Sequence, residues 1–234
     1  MNNFDLTNIK AVAFDIDGTL YRAWKLNSRM SLYFLPHCFF FLKYGLVRNL
    51  LRKNPNKLPD FMETQASYMA KKMKCSTEEA KQKLDKIVYK GIAKFFKKIK
   101  PCKDSIEFIK ELKEKGYKIG ILSDFPPEQK GDIWGIKDIC DCVLGTEETG
   151  ALKPSPVPFR ALATALDTKE EEILFVGNSH KYDVTGSKNA GMKAAWIITP
   201  FQKLFGKKSN IADITFCHYK ELKALFFNNE NKTN

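Results

Sequence analysis

Phe14-Asp15-Ile16-Asp17-Gly18-Thr19-Leu20 decides how this chain is read. The apolar run Ala11 to Phe14 leads into it, so a buried strand hands two neighbouring carboxylates to a glycine turn. Strand side chains alternate with a period of two, which places Asp15 and Asp17 on one side of the strand end and Ile16 on the other. Carboxylates that close repel unless a cation lies between them or one keeps its proton. Both outcomes suit phosphoryl chemistry. One carboxylate can attack phosphorus while the other delivers a proton to the leaving oxygen, and a hard ion such as Mg²⁺ offsets the repulsion between attacker and phosphate. Gly18 lets the backbone approach the phosphate, and the Thr19 hydroxyl can donate to it.

Three further segments fit the same frame. Lys118 to Leu122 is a short apolar run that ends at Ser123-Asp124, and Ile173 to Val176 is another, leading into Gly177-Asn178-Ser179-His180-Lys181-Tyr182-Asp183. Between them Leu152-Lys153-Pro154-Ser155-Pro156 sets a lysine just ahead of a helix start. In open parallel sheets, ligands sit outside the carboxyl ends of the strands, so these groups can converge on one phosphate.

In this set and order of motifs the chain resembles the haloacid dehalogenase superfamily of Asp-nucleophile hydrolases, across everything outside residues 22 to 100. The resemblance implies an α/β fold with a Rossmann-like parallel sheet core and a Mg²⁺-dependent phosphatase acting on a small phosphorylated metabolite through an aspartyl phosphate. It casts Asp15 as nucleophile, Asp17 as general acid and base, Ser123 as the hydroxyl that binds the phosphoryl group, and Lys153 as the lysine that neutralises Asp15 and phosphate. Gly18, Thr19, Ser123, Asp124 and Lys153 are the expected phosphate contacts. Asp15, Asp17, Asp183 and Asn178 are the expected metal ligands, Asp17 through its carbonyl. Asn178 stands where family members commonly carry an aspartate; its amide still offers an oxygen but removes one negative charge. Two other readings remain: carbon–halogen hydrolysis, and a weakened relative whose basic insert binds nucleic acid, acidic membrane or protein.

The 234 residues can bury a sizeable core, and 44% hydrophobic with 28% charged residues is the balance of an ordinary globular protein. Cys38, Cys75, Cys102, Cys140, Cys142 and Cys217 lack zinc-type spacing and read as reduced thiols of a cytoplasmic protein. Met-Asn-Asn-Phe-Asp-Leu-Thr shows no leader pattern. The net charge of +12 is uneven: residues 22 to 100 hold 19 Lys and Arg against 5 Asp and Glu, so that segment alone is +14 and the remainder is −2. An anionic partner is implied near the insert. A small phosphorylated substrate is the expected one; nucleic acid is not expected, and a membrane surface is the second choice.

From residue 101 onward helix and strand patterns alternate. Asp104 with Glu107 reads as a capping box, Gly116 as its helix end, Ser155 with Pro156 as N-cap and first helical position, and Ala194 to Thr199 and Ile211 to Phe216 as late strands. Residues 22 to 100 are helical instead. Leu84, Ile87, Val88, Ile92, Phe95, Phe96 and Ile99 recur at helical spacing after a Ser76/Glu79 box, and Asp60 with Glu63 opens another helix. By the resemblance this is a helical, C1-type cap inserted after the first strand, which divides the chain into a core of 1–21 with 101–234 and a cap of 22–100. Leu32 to Leu42, interrupted by Pro36, is too short to span a bilayer and is expected to bury against the core or line the substrate pocket, with a membrane-surface helix as the other choice.

Overall fold

Six strands make one all-parallel sheet: β1 (Ala11–Phe14), β2 (Lys118–Ser123), β3 (Cys142–Gly145), β4 (Ile173–Gly177), β5 (Lys193–Ile197) and β6 (Ile214–Phe216), in the order β3-β2-β1-β4-β5-β6. The computed structural model describes residues 6–54 and 56–227, so residues 1–5, where the leader pattern was sought, lie outside the described residues. The strand order is the Rossmann-like one expected from the sequence, and it reverses beside β1. Phe14 pairs in register with both Ile121 and Val176, and the Asp15 amide donates to the Val176 carbonyl at 2.9 Å. The tips of β1, β2 and β4 therefore end near one level. That is what gathers Asp15, Ser123 and the Gly177 turn at one edge.

The chain between β1 and β2 is helical: α1 (Ala23–Lys53), α2 (Phe61–Met73), α3 (Thr77–Lys83), a π-helical stretch Leu84–Tyr89, and α4 (Lys90–Phe96). Both expected caps form, with Asp60 Oδ1 accepting from the Glu63 amide at 2.8 Å and Ser76 Oγ from the Glu79 amide at 3.1 Å. The single amphipathic helix expected after Ser76 is instead three consecutive segments, because the hydrogen-bond ladder widens at Leu84.

Two readings of the Leu32 to Leu42 stretch are corrected. Helix α1 runs through Pro36, which lies on its exposed side, as does Leu32, whose carbonyl Pro36 cannot pair. Leu32, Leu35, Phe39 and Leu42 face outward, and of this stretch Phe40 and Phe41 pack, partly buried, on the core. The helix is apolar on nearly every side, and its fully buried residues, Tyr44, Val47, Arg48 and Leu51, all lie toward its C-terminal end. Farther up, Tyr33 holds it to the α4 region, donating to the Ile87 carbonyl and packing on Phe95. As a whole, α1 is long and apolar enough to cross a membrane by length and composition, which the short stretch read alone was not.

The remaining helices are α5 (Ser105–Glu114), α6 (Pro156–Ala165), α7 (Thr185–Asn189), α8 (Pro200–Leu204) and α9 (Tyr219–Phe227). The period of two along β1 sorts them into two layers. Val12 and Phe14 pack with Phe108 and Leu112 of α5 and Phe226 of α9, whereas Ala11 and Ala13 share the other face with Phe159 and Leu162 of α6. Small residues suit that face, since a Cβ on Gly120 would press on Leu162 and Leu166. The expected Asp104/Glu107 box is absent: Asp104 sits at φ 64° and its side chain caps nothing. Ser155 does cap α6 through the Val157 amide. Strand β3, unread in the sequence, is only four residues long and sits between a charged turn and Glu147-Glu148.

Candidate active site

Asp15 lies one residue past β1, almost wholly buried. Its Oδ1 accepts from Lys153 Nζ at 2.9 Å and its Oδ2 from Thr19 Oγ1 at 2.8 Å. Lys153, delivered by the loop ahead of α6, also donates to Asp183 Oδ1 at 2.9 Å, so one ammonium bridges two buried carboxylates. The second oxygen of Asp183 accepts from the Ser179 amide at 2.8 Å within the π-helical turn His180–Val184. Burial pushes the Asp15 carboxyl up; Lys153 pulls it down, Asp183 and Asp17 push it up again, and it comes to about 7. Burial works against the Lys153 ammonium, yet Asp15 and Asp183 more than offset it and leave the amine above its usual value. The Thr19 hydroxyl donates to Asp15 and its amide to the Ile16 carbonyl, an arrangement that orients the Asp15 carboxylate.

Asp17 takes a different set of partners. Because β1 stops at Phe14, the alternation that put both carboxylates on one side does not extend to it. Tyr21 Oη donates to Asp17 Oδ1 at 2.6 Å, while Ser123 Oγ and Lys130 Nζ lie 3.3 and 3.0 Å from Oδ2. Lys130 is buried and sits over the Phe96 ring, 4.3 Å from its centroid. Tyr21 and Lys130 escaped the sequence reading. Tyr21 left a signal, four residues after Asp17 on a turn; the lysine in Glu128-Gln129-Lys130-Gly131 left none.

Asp124 turns its side chain elsewhere: the carboxylate pairs with Arg52 at 2.6 Å and accepts from Thr146 Oγ1 at 3.2 Å. Burial alone would raise it, but Arg52, Lys153 and Arg48 outweigh that and hold the carboxyl below its ordinary value. Arg48, one turn earlier on α1, donates to the Asp124 carbonyl at 2.7 Å and pairs with buried Glu147, which also accepts from Tyr89 Oη at 2.8 Å. Two arginines of α1 thus grip the loop that follows Ser123. Their i, i+4 spacing on an otherwise apolar helix was the available clue.

Gly18 has a positive φ of 93°, and a Cβ there would fall 2.4 Å from the Asn178 amide nitrogen, so its lack of a side chain makes room for Asn178. The oxygen donors suit a hard divalent cation: two buried carboxylates share one ammonium, which leaves them a negative charge in excess. Among the described residues no three His, Cys, Asp or Glu side chains group as a metal cluster. A further donor would be the Asn178 amide oxygen or the Asp17 carbonyl.

A family model for haloacid dehalogenase-like hydrolases matches residues 9–191. The chain belongs to that family. The pyrophosphatase PpaX of Bacillus mycoides is 28% identical over 188 residues, covering 79% of this chain and 81% of the relative. A phosphatase of the family from Thermococcus onnurineus superposes with a TM-score of 0.61 at 25% identity, over 94% of this chain and 98% of its own. An L-2-haloacid dehalogenase from Xanthobacter autotrophicus shares the fold at a TM-score of 0.64 and 18% identity, over 93% of this chain and 98% of its own. Among these hydrolases the chain is of the phosphatase type.

Proposed function

We propose that this hydrolase is a Mg²⁺-dependent phosphatase that cleaves a small phosphorylated metabolite through an aspartyl phosphate on Asp15. The observation that carries the reading is the buried Asp15 carboxylate, fixed at one oxygen by Lys153 and at the other by Thr19. Asp15 attacks phosphorus as the bond to the leaving oxygen breaks, and Asp17 gives that oxygen a proton. Asp17 then takes a proton from the water that hydrolyses the aspartyl phosphate. Ser123 and Lys153 hold the phosphoryl oxygens. Mg²⁺, on Asp15, Asp183, the Asp17 carbonyl and the Asn178 oxygen, would offset the phosphate charge. The helical insertion of residues 22–100 serves as the cap over this site, and Tyr21 and Lys130 position Asp17. The six free thiols support a cytoplasmic setting.

The test is a Mg²⁺ titration against phosphorylated metabolites, p-nitrophenyl phosphate, inorganic pyrophosphate and 2-chloropropionate. Turnover of a phosphate ester that EDTA abolishes is expected; full activity in EDTA, or turnover of chloropropionate alone, would sink the proposal. The relatives named as pyrophosphatases put pyrophosphate among the candidate substrates.

Asp17→Asn should slow alkyl phosphates by ~10²–10⁴-fold, the usual range for general acid catalysis, and p-nitrophenyl phosphate far less, since that leaving group hardly needs a proton. Lys130→Met should show the same selectivity more weakly. Equal losses on both substrates would give Asp17 a supporting role only.

A further inference from the structure

Helix α1 carries a stripe of large apolar side chains that nothing among the described residues covers. Leu32, Leu35, Phe39 and Leu42 are 80, 67, 77 and 61% exposed, and Trp24, Leu46 and Leu50 extend the line in both directions. Their three- and four-residue steps put them on one face. The charge around that face is of one sign. Residues 23 to 53 contain no Asp or Glu, and among the described residues no ion pair engages Arg29, Lys43 or Lys53. At its C-terminal end the stripe reaches a cavity of about 570 Å³, where Leu46 and Leu50 meet Arg52, Lys53, Lys72 and Lys181.

An apolar strip edged by cations is the composition of a helix that lies in the interface of an acidic membrane. We propose that α1 seats the protein flat on a bilayer rich in anionic lipid, with Leu32, Leu35, Phe39 and Leu42 entering the acyl boundary and Arg29 and Lys43 meeting headgroups. A transmembrane placement is ruled out within this fold, because Tyr44, Val47, Arg48 and Leu51 are buried and Arg48 is tied to Glu147. A second copy of the chain is the other occupant with the right shape. Against it, the positions beside such a seam are Arg29 and Lys43 with no acid on the helix to answer them, and each copy would bring an insertion of net +14. A smaller patch lies at α8 and the turn after it, where Phe201, Leu204 and Phe205 are exposed near Lys207 and Lys208, while Lys203 pairs with Glu221. Arg22, just before α1, donates to the Ile198 carbonyl just before α8, which ties the start of one helix to the start of the other.

Co-sedimentation with vesicles of phosphatidylcholine alone and with added phosphatidylglycerol reads this directly. Binding should require the anionic lipid and weaken in high salt. Leu35→Glu with Phe39→Glu should lower partitioning by more than ~10-fold, and Arg29→Glu with Lys43→Glu by about fivefold for each charge lost. Leu35, Phe39 and Arg29 are exposed and Lys43 is half-buried with no ion pair to lose among the described residues, so thermal midpoints should match wild type; the salt and lipid dependence of the wild-type protein tests the proposal without any variant. No sedimentation with either vesicle, or equal sedimentation with both, would overturn it. So would a dimer in sedimentation equilibrium that Leu35→Glu with Phe39→Glu dissociates, since the stripe would then belong to a second copy.

Discussion

Asp15→Asn should cut phosphate-ester turnover by more than ~10³-fold while the protein stays folded, because the amide keeps the shape of the side chain and loses the nucleophile. Beryllium fluoride should label Asp15 in the wild type and leave the variant unmodified. A second readout separates the carboxylate from mere packing. In EDTA the folded Asp15 titrates near 7 against an ordinary value of 3.8, because burial and its acidic neighbours outweigh Lys153. A carboxyl raised in this way favours the fold fully below about pH 4, and that contribution is lost as pH rises through about 7. The Asn variant has no such group. Its melting temperature relative to wild type should therefore climb between about pH 4 and pH 8. A flat difference, or retained turnover, would remove Asp15 from the role given to it.

Arg48→Met should lower the melting temperature by about 10 °C. Breaking a buried ion pair from one side typically loses ~3–5 kcal/mol, and a chain of this size shifts by roughly 2–4 °C per kcal/mol. The substitution leaves Glu147 buried with Tyr89 Oη as its remaining donor, and it releases the Asp124 carbonyl. Adding Glu147→Leu should recover most of the loss, since an apolar pair of similar volume can replace a buried ion pair. A single variant that melts within about 2 °C of wild type would show that the pair adds no net stability.

Much of this was legible in the sequence because it is local. Strands β1, β2 and β4, the Asp60, Ser76 and Ser155 caps, and the meeting of Asp15, Lys153 and Asp183 follow from apolar runs and from where parallel strands end. What stayed hidden depends on distant partners. That the Thr19 side chain turns to Asp15 and the Asp124 side chain to Arg52 is seen only in the folded chain. Lys130 resembles any surface lysine until folding places it between Phe96 and Asp17. The exposure of α1 was misjudged for a related reason. Apolar content predicts burial only where a neighbour is available, and this helix finds one chiefly toward its C-terminal end.

The π-helical stretch at Leu84–Tyr89 changes what a regular spacing means. Ala80, Leu84, Val88, Ile92 and Phe96 are all buried and all four residues apart. On an unbroken α-helix each such step overshoots a full turn by about 40°, so the four steps would carry Phe96 about 160° around the rod from Ala80. The wider turns rotate the chain back by one residue's worth, ~100°, so that all five fall on one side. The widened stretch thus holds one extra residue whose deletion would leave composition almost untouched. Such a deletion would swing Ile92 and Phe96 away from the core and carry the Phe96 ring off Lys130.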